Sequence, residues 1–189
     1  LEEKVGQLFM PMVFTERDSS HFHFTLNLIK KYKVGGLVFS LGGPVEQTKC
    51  LNAFQRESKV PLMTAMDAEW GVAMRLDSVM PFPWPMTLGA IKDSTLLRKI
   101  GKRMGMQEKR LGIHYSFGPT LDINTNPKNP IIGNRSYGSS PDRVIRQALA
   151  IMKGHQEAGI LTSGKHFPGH GDTSKDSHKT LPTVSLSSD

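Results

Sequence analysis

A chain of 189 residues with 38% apolar and 22% charged side chains has the balance of a folded globular domain, not of a disordered or low-complexity segment. Its formal net charge of +7 favours contact with polyanions, but the basic residues are scattered, with Lys30, Lys31 and Lys33 as the densest cluster, and lack the interleaved aromatics of a nucleic-acid binder. The single cysteine, Cys50, excludes an internal disulfide and a cysteine cage for a metal, and no apolar run reaches the ~18 residues of a membrane span.

In chain order, apolar β-rich runs alternate with helical patterns. A strand is expected over Leu8 to Phe14 and a helix over Thr25 to Tyr32, then a strand over Gly36 to Ser40 and a helix over Val45 to Ser58 that carries Cys50 as a buried, inert thiol. The third strand, Leu62 to Asp67, is followed by a long loop containing D-A-E-W-G-V-A-M-R and P-F-P-W-P. A helix over Ser94 to Leu111 follows, opened by Asp93 or Ser94 as cap and stopped at Gly112. The fourth strand, Tyr115 to Asp122, leads through a second long loop with G-N-R-S-Y into a helix over Pro141 to Ala158, with Ser140 and Pro141 at its start and Gly159 at its stop. The fifth strand is Ile160 to His166.

Near-continuous apolar strands separated by helices indicate an α/β fold with a parallel sheet. Five strands are too few for an eight-stranded β/α barrel, which needs about 250 residues. The periodicity therefore fits either the first five-eighths of a barrel or a self-contained doubly wound sheet. The first residue is Leu, so a leader or lipid anchor upstream is compatible with the sequence, and the compartment is open between cytoplasm and cell envelope.

The chemistry concentrates between Gly164 and Val184, G-K-H-F-P-G-H-G-D-T-S-K-D-S-H-K-T-L-P-T-V. A polar loop of this kind after a strand is where α/β enzymes hold reacting groups. Asp176 and His178 are one residue apart, so the carboxylate can fix the tautomer of an imidazole that gives and takes protons near neutrality. Lys165 and His166 end the fifth strand and can donate to hydroxyls. Asp67 ends the third strand, a position that Asp also occupies for structural reasons. The glycines and proline of F-P-G-H-G-D permit sharp turns and close backbone approach, with His170 and Asp172 supporting the turn by hydrogen bonds. His166, His170, Asp172 and His178 could in principle ligate zinc, but Pro168, Gly169 and Gly171 do not set the imidazoles on one face. No metal or cofactor is called for.

The runs K-H-F-P-G-H-G-D-T and D-S-H resemble the signature of the bacterial β-N-acetylhexosaminidases of glycoside hydrolase family 3, and the resemblance extends more weakly over the whole chain. It implies a TIM-type (β/α)8 barrel, with residues 1–189 as the N-terminal part and about its first five units. It implies a retaining exo-hydrolase acting on terminal β-linked N-acetylglucosamine in peptidoglycan or chitin-type fragments, in which the Asp176–His178 dyad replaces the usual acid/base carboxylate. Substrate contacts are implied for Asp67, Arg75, Arg135, Lys165 and His166. The nucleophile, an aspartate on a later strand of the family's barrel, is expected beyond this chain, and Asp189, after a Ser-rich segment, reads as a loop residue. The pattern D-x-E-G-G-R is altered here: Trp70 stands where glycine is usual and Val72 where arginine is usual, while Asp67, Glu69 and Gly71 survive. Trp70 and Trp84 could stack on sugars, or Trp84 could pin its loop. A phosphorylase or β-glucosidase of the same family, a metal-dependent hydrolase and a non-catalytic sugar-binding fragment are the alternatives.

Overall fold

A computed structural model describes residues 1–183, so Asp189 lies outside the described residues. The elements run α1 (Glu2–Gly6), β1 (Met12–Val13), α2 (Ser19–Tyr32), β2 (Gly36–Phe39), α3 (Pro44–Glu57), β3 (Met63–Met66), α4 (Pro85–Gly89), α5 (Ser94–Arg110), β4 (Tyr115–Ser116), α6 (Pro141–Glu157) and β5 (Leu161–Thr162). Short 3-10 turns occupy Val72–Met74 and Gly133–Arg135.

The five strands pair in parallel in strict sequence order, β1-β2-β3-β4-β5. A doubly wound sheet must reverse its order at a switch point. This sheet does not reverse, so it is the run of consecutive β/α units from which a barrel is built.

Local chemistry explains the helix limits. The Asp18 side chain accepts from the N–H groups of Ser20 and His21, so α2 starts well before the expected Thr25. The Asp93 side chain accepts from Thr95 N, which identifies Asp93 as the cap of α5. Pro44 and Pro141 take the first turns of α3 and α6, where a missing N–H costs nothing. Gly112 and Gly159, at φ 74° and 85°, follow α5 and α6. The bonds Ile113 N to Glu108 O and Ile160 N to His155 O close the two ends, a Schellman arrangement in both cases.

The strands are shorter than their apolar runs. β1 keeps two residues of Leu8 to Phe14, and β4 leaves the ladder after Ser116, with Thr120 regaining a single bridge to Lys165. Two apolar clusters result. One gathers Val13, Ile29, Leu37, Phe39, Phe54, Leu62 and Met66 between the first three strands and their helices. Cys50 packs against it half-buried, and burial pushes its thiol up, away from the reactive thiolate. The other gathers Leu88, Leu97, Met104, Tyr137, Val144 and Ile151 among α4, α5 and α6.

Helices α5 and α6 meet backbone to backbone. A Cβ on Gly101 would lie 2.3 Å from Ile151 O, and one on Gly154 would lie 2.2 Å from Arg98 O. Beside this crossing Ser116 Oγ donates to the buried Glu108 Oε1 at 2.9 Å, and His155 Nε2 lies 3.5 Å from the same oxygen. Burial would lower the His155 pKa, but Glu108 outweighs it and the net direction is upward.

Replacing Gly154 with Ala sets two effects against each other. Alanine is favoured over glycine in a helix by about 1 kcal/mol, whereas pushing packed backbones apart costs about 1–3 kcal/mol. The clash with main-chain atoms should win, so Gly154→Ala is expected to lower the urea midpoint with an unchanged slope. A midpoint at or above that of the parent would show that the crossing has slack.

Candidate functional site

The polar side chains gather where the strands end. Asp67 follows β3 directly, Asp122 and the turn that carries Arg135 follow β4, and Lys165 and His166 follow β5. All lie at the carboxyl ends of parallel strands, the face that carries reacting groups in barrels. All of these but Asp122 line a cleft of about 590 Å³, with Glu69, Arg75, Ser163, His170, Ser177, His178 and several apolar side chains completing its wall.

The cleft is organised by alternating charges. Arg75 Nη2 meets Asp67 Oδ2 at 2.8 Å, and Arg75 Nε donates to the Asp67 carbonyl at 3.2 Å. Lys165 Nζ lies 2.6 Å from Asp67 Oδ1 and 2.8 Å from Glu69 Oε1. Arg135 grips Glu69 with both prongs, Nη2 to Oε1 at 2.7 Å and Nε to Oε2 at 2.9 Å, the planar match that guanidinium and carboxylate permit. Arg135 Nη2 also lies 3.3 Å from His166 Nε2. Arginine can only donate, so Nε2 accepts and the imidazole hydrogen sits on Nδ1, which lies 2.6 Å from Asp122 Oδ2.

Two of these carboxylates were given no role by the sequence. Glu69 is 3% exposed and joins cations from two distant loops. Burial pushes its pKa up, but the hydrogen bonds and charges of Arg135 and Lys165 overcome that and hold it at about 2. Asp122 is 2% exposed and accepts from the backbone N–H of His166 and of His170. Burial again opposes ionisation, and His166 and His170 together leave the pKa lowered. The strand-end position that marked Asp67 marks Asp122 equally, and Glu69, two residues after Asp67, continues the same polar segment.

The loop after β5 is tied to the loop after β4. Asn129 Nδ2 donates to the carbonyls of His170 and Thr173 at 2.6 and 2.9 Å, and Thr173 Oγ1 pairs with His170 Nδ1. Gly171 is required there, since a Cβ would fall 1.7 Å from Ile123 O. His170 therefore supports the turn, as does Asp172, which contributes its carbonyl to Asn126 Nδ2 at 3.2 Å.

His178 stands on the rim of the cleft with its side chain 77% exposed. Asp176, set back from the lining, accepts at Oδ1 from the His178 backbone N–H and from Nδ1, each at 2.8 Å. The backbone bond is the main cause of the lowered Asp176 pKa. The pair fixes the hydrogen on Nδ1 and leaves Nε2 as the exchanging atom. Trp70 and Trp84 stack on each other, with centroids 4.2 Å apart and planes at 14°.

No group of three or more His, Cys, Asp or Glu is placed to hold a metal ion among the described residues. The zinc set considered from sequence is instead divided between other partners: His166 with Asp122, His170 with Thr173 and His178 with Asp176.

Parallel strands in sequence order, with a charged cleft at their carboxyl ends, define a segment of a β/α barrel. The chain belongs to glycosyl hydrolase family 3, whose N-terminal domain matches residues 1–189. It is 36% identical over 170 residues to beta-hexosaminidase A of Pseudoalteromonas piscicida, which covers 83% of this chain and 28% of that protein. A family 3 beta-N-acetylglucosaminidase from Paenibacillus sp. str. FPU-7 superposes with a TM-score of 0.85 at 38% identity, covering 97% of this chain and 36% of the other. A beta-glucoside phosphorylase also superposes with a TM-score of 0.85, at 29% identity, covering 94% of this chain and 32% of the other. The chain thus spans between 28% and 40% of the length of the first curated relatives it matches.

The depressed Glu69 pKa gives a signed prediction. A carboxylate lowered from 4.5 to about 2 contributes stability that is fully present above pH 4.5 and is lost as pH falls through about 2. Glu69→Gln should therefore cost about 3 kcal/mol at neutral pH, and the gap between variant and parent should narrow only below pH 4.5. Unfolding curves from pH 2 to 8 measure this, and a gap independent of pH would mean that the charge of Glu69 is not what holds the cleft.

Proposed function

We propose that the full-length protein is a retaining exo-β-N-acetylhexosaminidase that removes terminal β-linked N-acetylglucosamine from peptidoglycan- or chitin-type fragments. The observation that carries this reading is the Asp176–His178 dyad on the rim of a cleft whose interior is lined by Asp67, Arg75, Arg135, Lys165 and His166. The beta-hexosaminidase and beta-N-acetylglucosaminidase names of similar proteins support the sugar assignment.

In this reading the terminal sugar sits among the charged groups. Asp67 accepts from its hydroxyls, while Lys165, Arg135 and Arg75 donate. In the first step a carboxylate nucleophile bonds to the anomeric carbon and the glycosidic C–O bond breaks. Its electron pair stays on the leaving oxygen, which takes the proton from His178 Nε2. In the second step Nε2 takes a proton from water, the water oxygen bonds to the anomeric carbon, and the carboxylate leaves. Asp176 keeps the imidazole in one orientation and stabilises the imidazolium.

The buried or half-buried carboxylates of the cleft are engaged elsewhere: Asp67 with Arg75 and Lys165, Glu69 with Arg135 and Lys165, Asp122 with His166 and His170. By the family resemblance we assign the nucleophile to an aspartate on a later barrel strand, beyond this chain.

A second reading has its own support in the superposed beta-glucoside phosphorylase. An imidazole acid/base does not repel incoming phosphate as a carboxylate does, and the cleft is rich in cations. Phosphate would then replace water in the second step and yield a sugar 1-phosphate. Mass analysis of products formed with and without phosphate separates the two outcomes.

In the full-length protein His178→Ala should reduce turnover of oligosaccharides about 10²- to 10⁴-fold, while the first step with activated aryl glycosides is spared because their leaving oxygen needs no proton. Equal loss with both substrates would remove the acid/base role. Asp176→Asn should act in the same direction but more mildly and move the pH–rate profile, and an unaltered profile would show that the pair does not work as a unit.

A further inference from the structure

The aromatic pair between β3 and α4 takes no part in the charge network. We propose that Trp70, backed by Trp84, is a stacking platform for the apolar face of the second sugar ring, the one that departs as the leaving group. The proposal deepens the glycosidase reading above and rests on it.

The cleft has two chemical characters. Asp67, Arg135 and Lys165 line it with hydrogen-bonding groups, whereas Trp70, Met74, Phe117 and Ile131 line it with apolar surface. The polar groups are well matched to a ring held by its hydroxyls, and their side chains are only 15–28% exposed. Trp84 is 45% exposed and lies outside the lining. The stacked pair therefore runs from the cleft wall to open surface, the direction in which a glycan must continue once its terminal ring is bound. A pyranose presents C–H groups on its faces, and the indole is the broadest flat apolar surface available to meet them.

The platform is built before any ligand arrives. Gly71, with φ 85°, lies against Phe82, whose ring carbon would be 2.8 Å from an added Cβ. Trp84 stacks on Trp70 at 4.2 Å and leads into Pro85 at the first turn of α4. The P-F-P-W-P loop thus clamps both Gly71 and the neighbouring indole. An aromatic already fixed loses little conformational freedom on binding. Trp70 occupies a place where the resembling motif has glycine, so the platform distinguishes this chain within that pattern.

The test compares two substrates in the full-length protein: a β-1,4-linked N-acetylglucosamine disaccharide, which has a second ring, and methyl β-N-acetylglucosaminide, which has none. Trp70→Ala should lower kcat/KM for the disaccharide about 3- to 10-fold relative to the methyl glycoside. Trp70→Phe should recover most of the loss, and Trp84→Ala should show a smaller loss with the same selectivity. Equal effects on both substrates would overturn the proposal, since Trp70 would then serve the terminal ring or the fold. If the parent hydrolyses neither compound, the hexosaminidase reading fails by itself, and calorimetry decides the platform separately. A preference for the disaccharide or for cellobiose over the matching monosaccharide, lost in Trp70→Ala, supports it. An unchanged preference, or no disaccharide binding, overturns it.

Discussion

One buried carboxylate holds the cleft in shape. Glu69 binds Arg135 and Lys165, which come from loops after two other strands, and Lys165 in turn reaches Asp67 and through it Arg75. Burying such charges costs several kcal/mol per ion, recovered only when geometry and hydrogen bonding are good. The two-pronged contact of Arg135 and the shared ammonium of Lys165 meet that condition. A network of this kind adds little to net stability, but its removal in part is expensive. The loops after β3, β4 and β5 are consequently held together as one unit.

This arrangement divides the work of the site. The cations that would contact a ligand are already desolvated and oriented, so little reorganisation is left to perform on binding. Asp122 extends the same logic to the loop after β5: it fixes the ring of His166 through Nδ1 and the start of the next turn through His170 N. The dyad differs in being exposed and local, with both of its hydrogen bonds made between residues two apart. The interior of the cleft is thus held by long-range contacts, and the pair at its rim by local ones.

Much of this was legible in the chain because it is local. Gly112, Gly159, Pro141 and Asp93 mark helix ends by backbone requirements that do not depend on distant partners, and Asp176 and His178 are neighbours in sequence. What the sequence did not disclose is mostly long-range. Glu69 meets Arg135 across 66 residues, and Asp122 meets His166 across 44. Nothing in the immediate neighbourhood of either carboxylate announces its partner. Strand lengths were overestimated because an apolar run continues after the ladder ends: the segment beyond Ser116 leaves the sheet and makes only one further bridge, at Thr120. The short α1 and α4, at five residues each, are too brief to show a helical period. The tryptophans were read as surfaces for a sugar, and the contact they make with each other, across 14 residues of sequence, was not foreseen.

The crossing of α5 and α6 carries a different kind of constraint. Gly101 and Gly154 each lie against the other helix's main chain, and neither has a smaller residue to retreat to. A bulkier neighbour in an ordinary core can be accommodated by trimming its partner; here there is nothing left to trim. Sequence drift at this crossing would have to be absorbed by separating the helices, and with them β4 and β5, from whose ends Asp122 and His166 meet. Tolerance to substitution in this protein should thus follow backbone proximity rather than distance from the cleft, and two plain glycines on outer helices should vary as little as the charged residues they indirectly align.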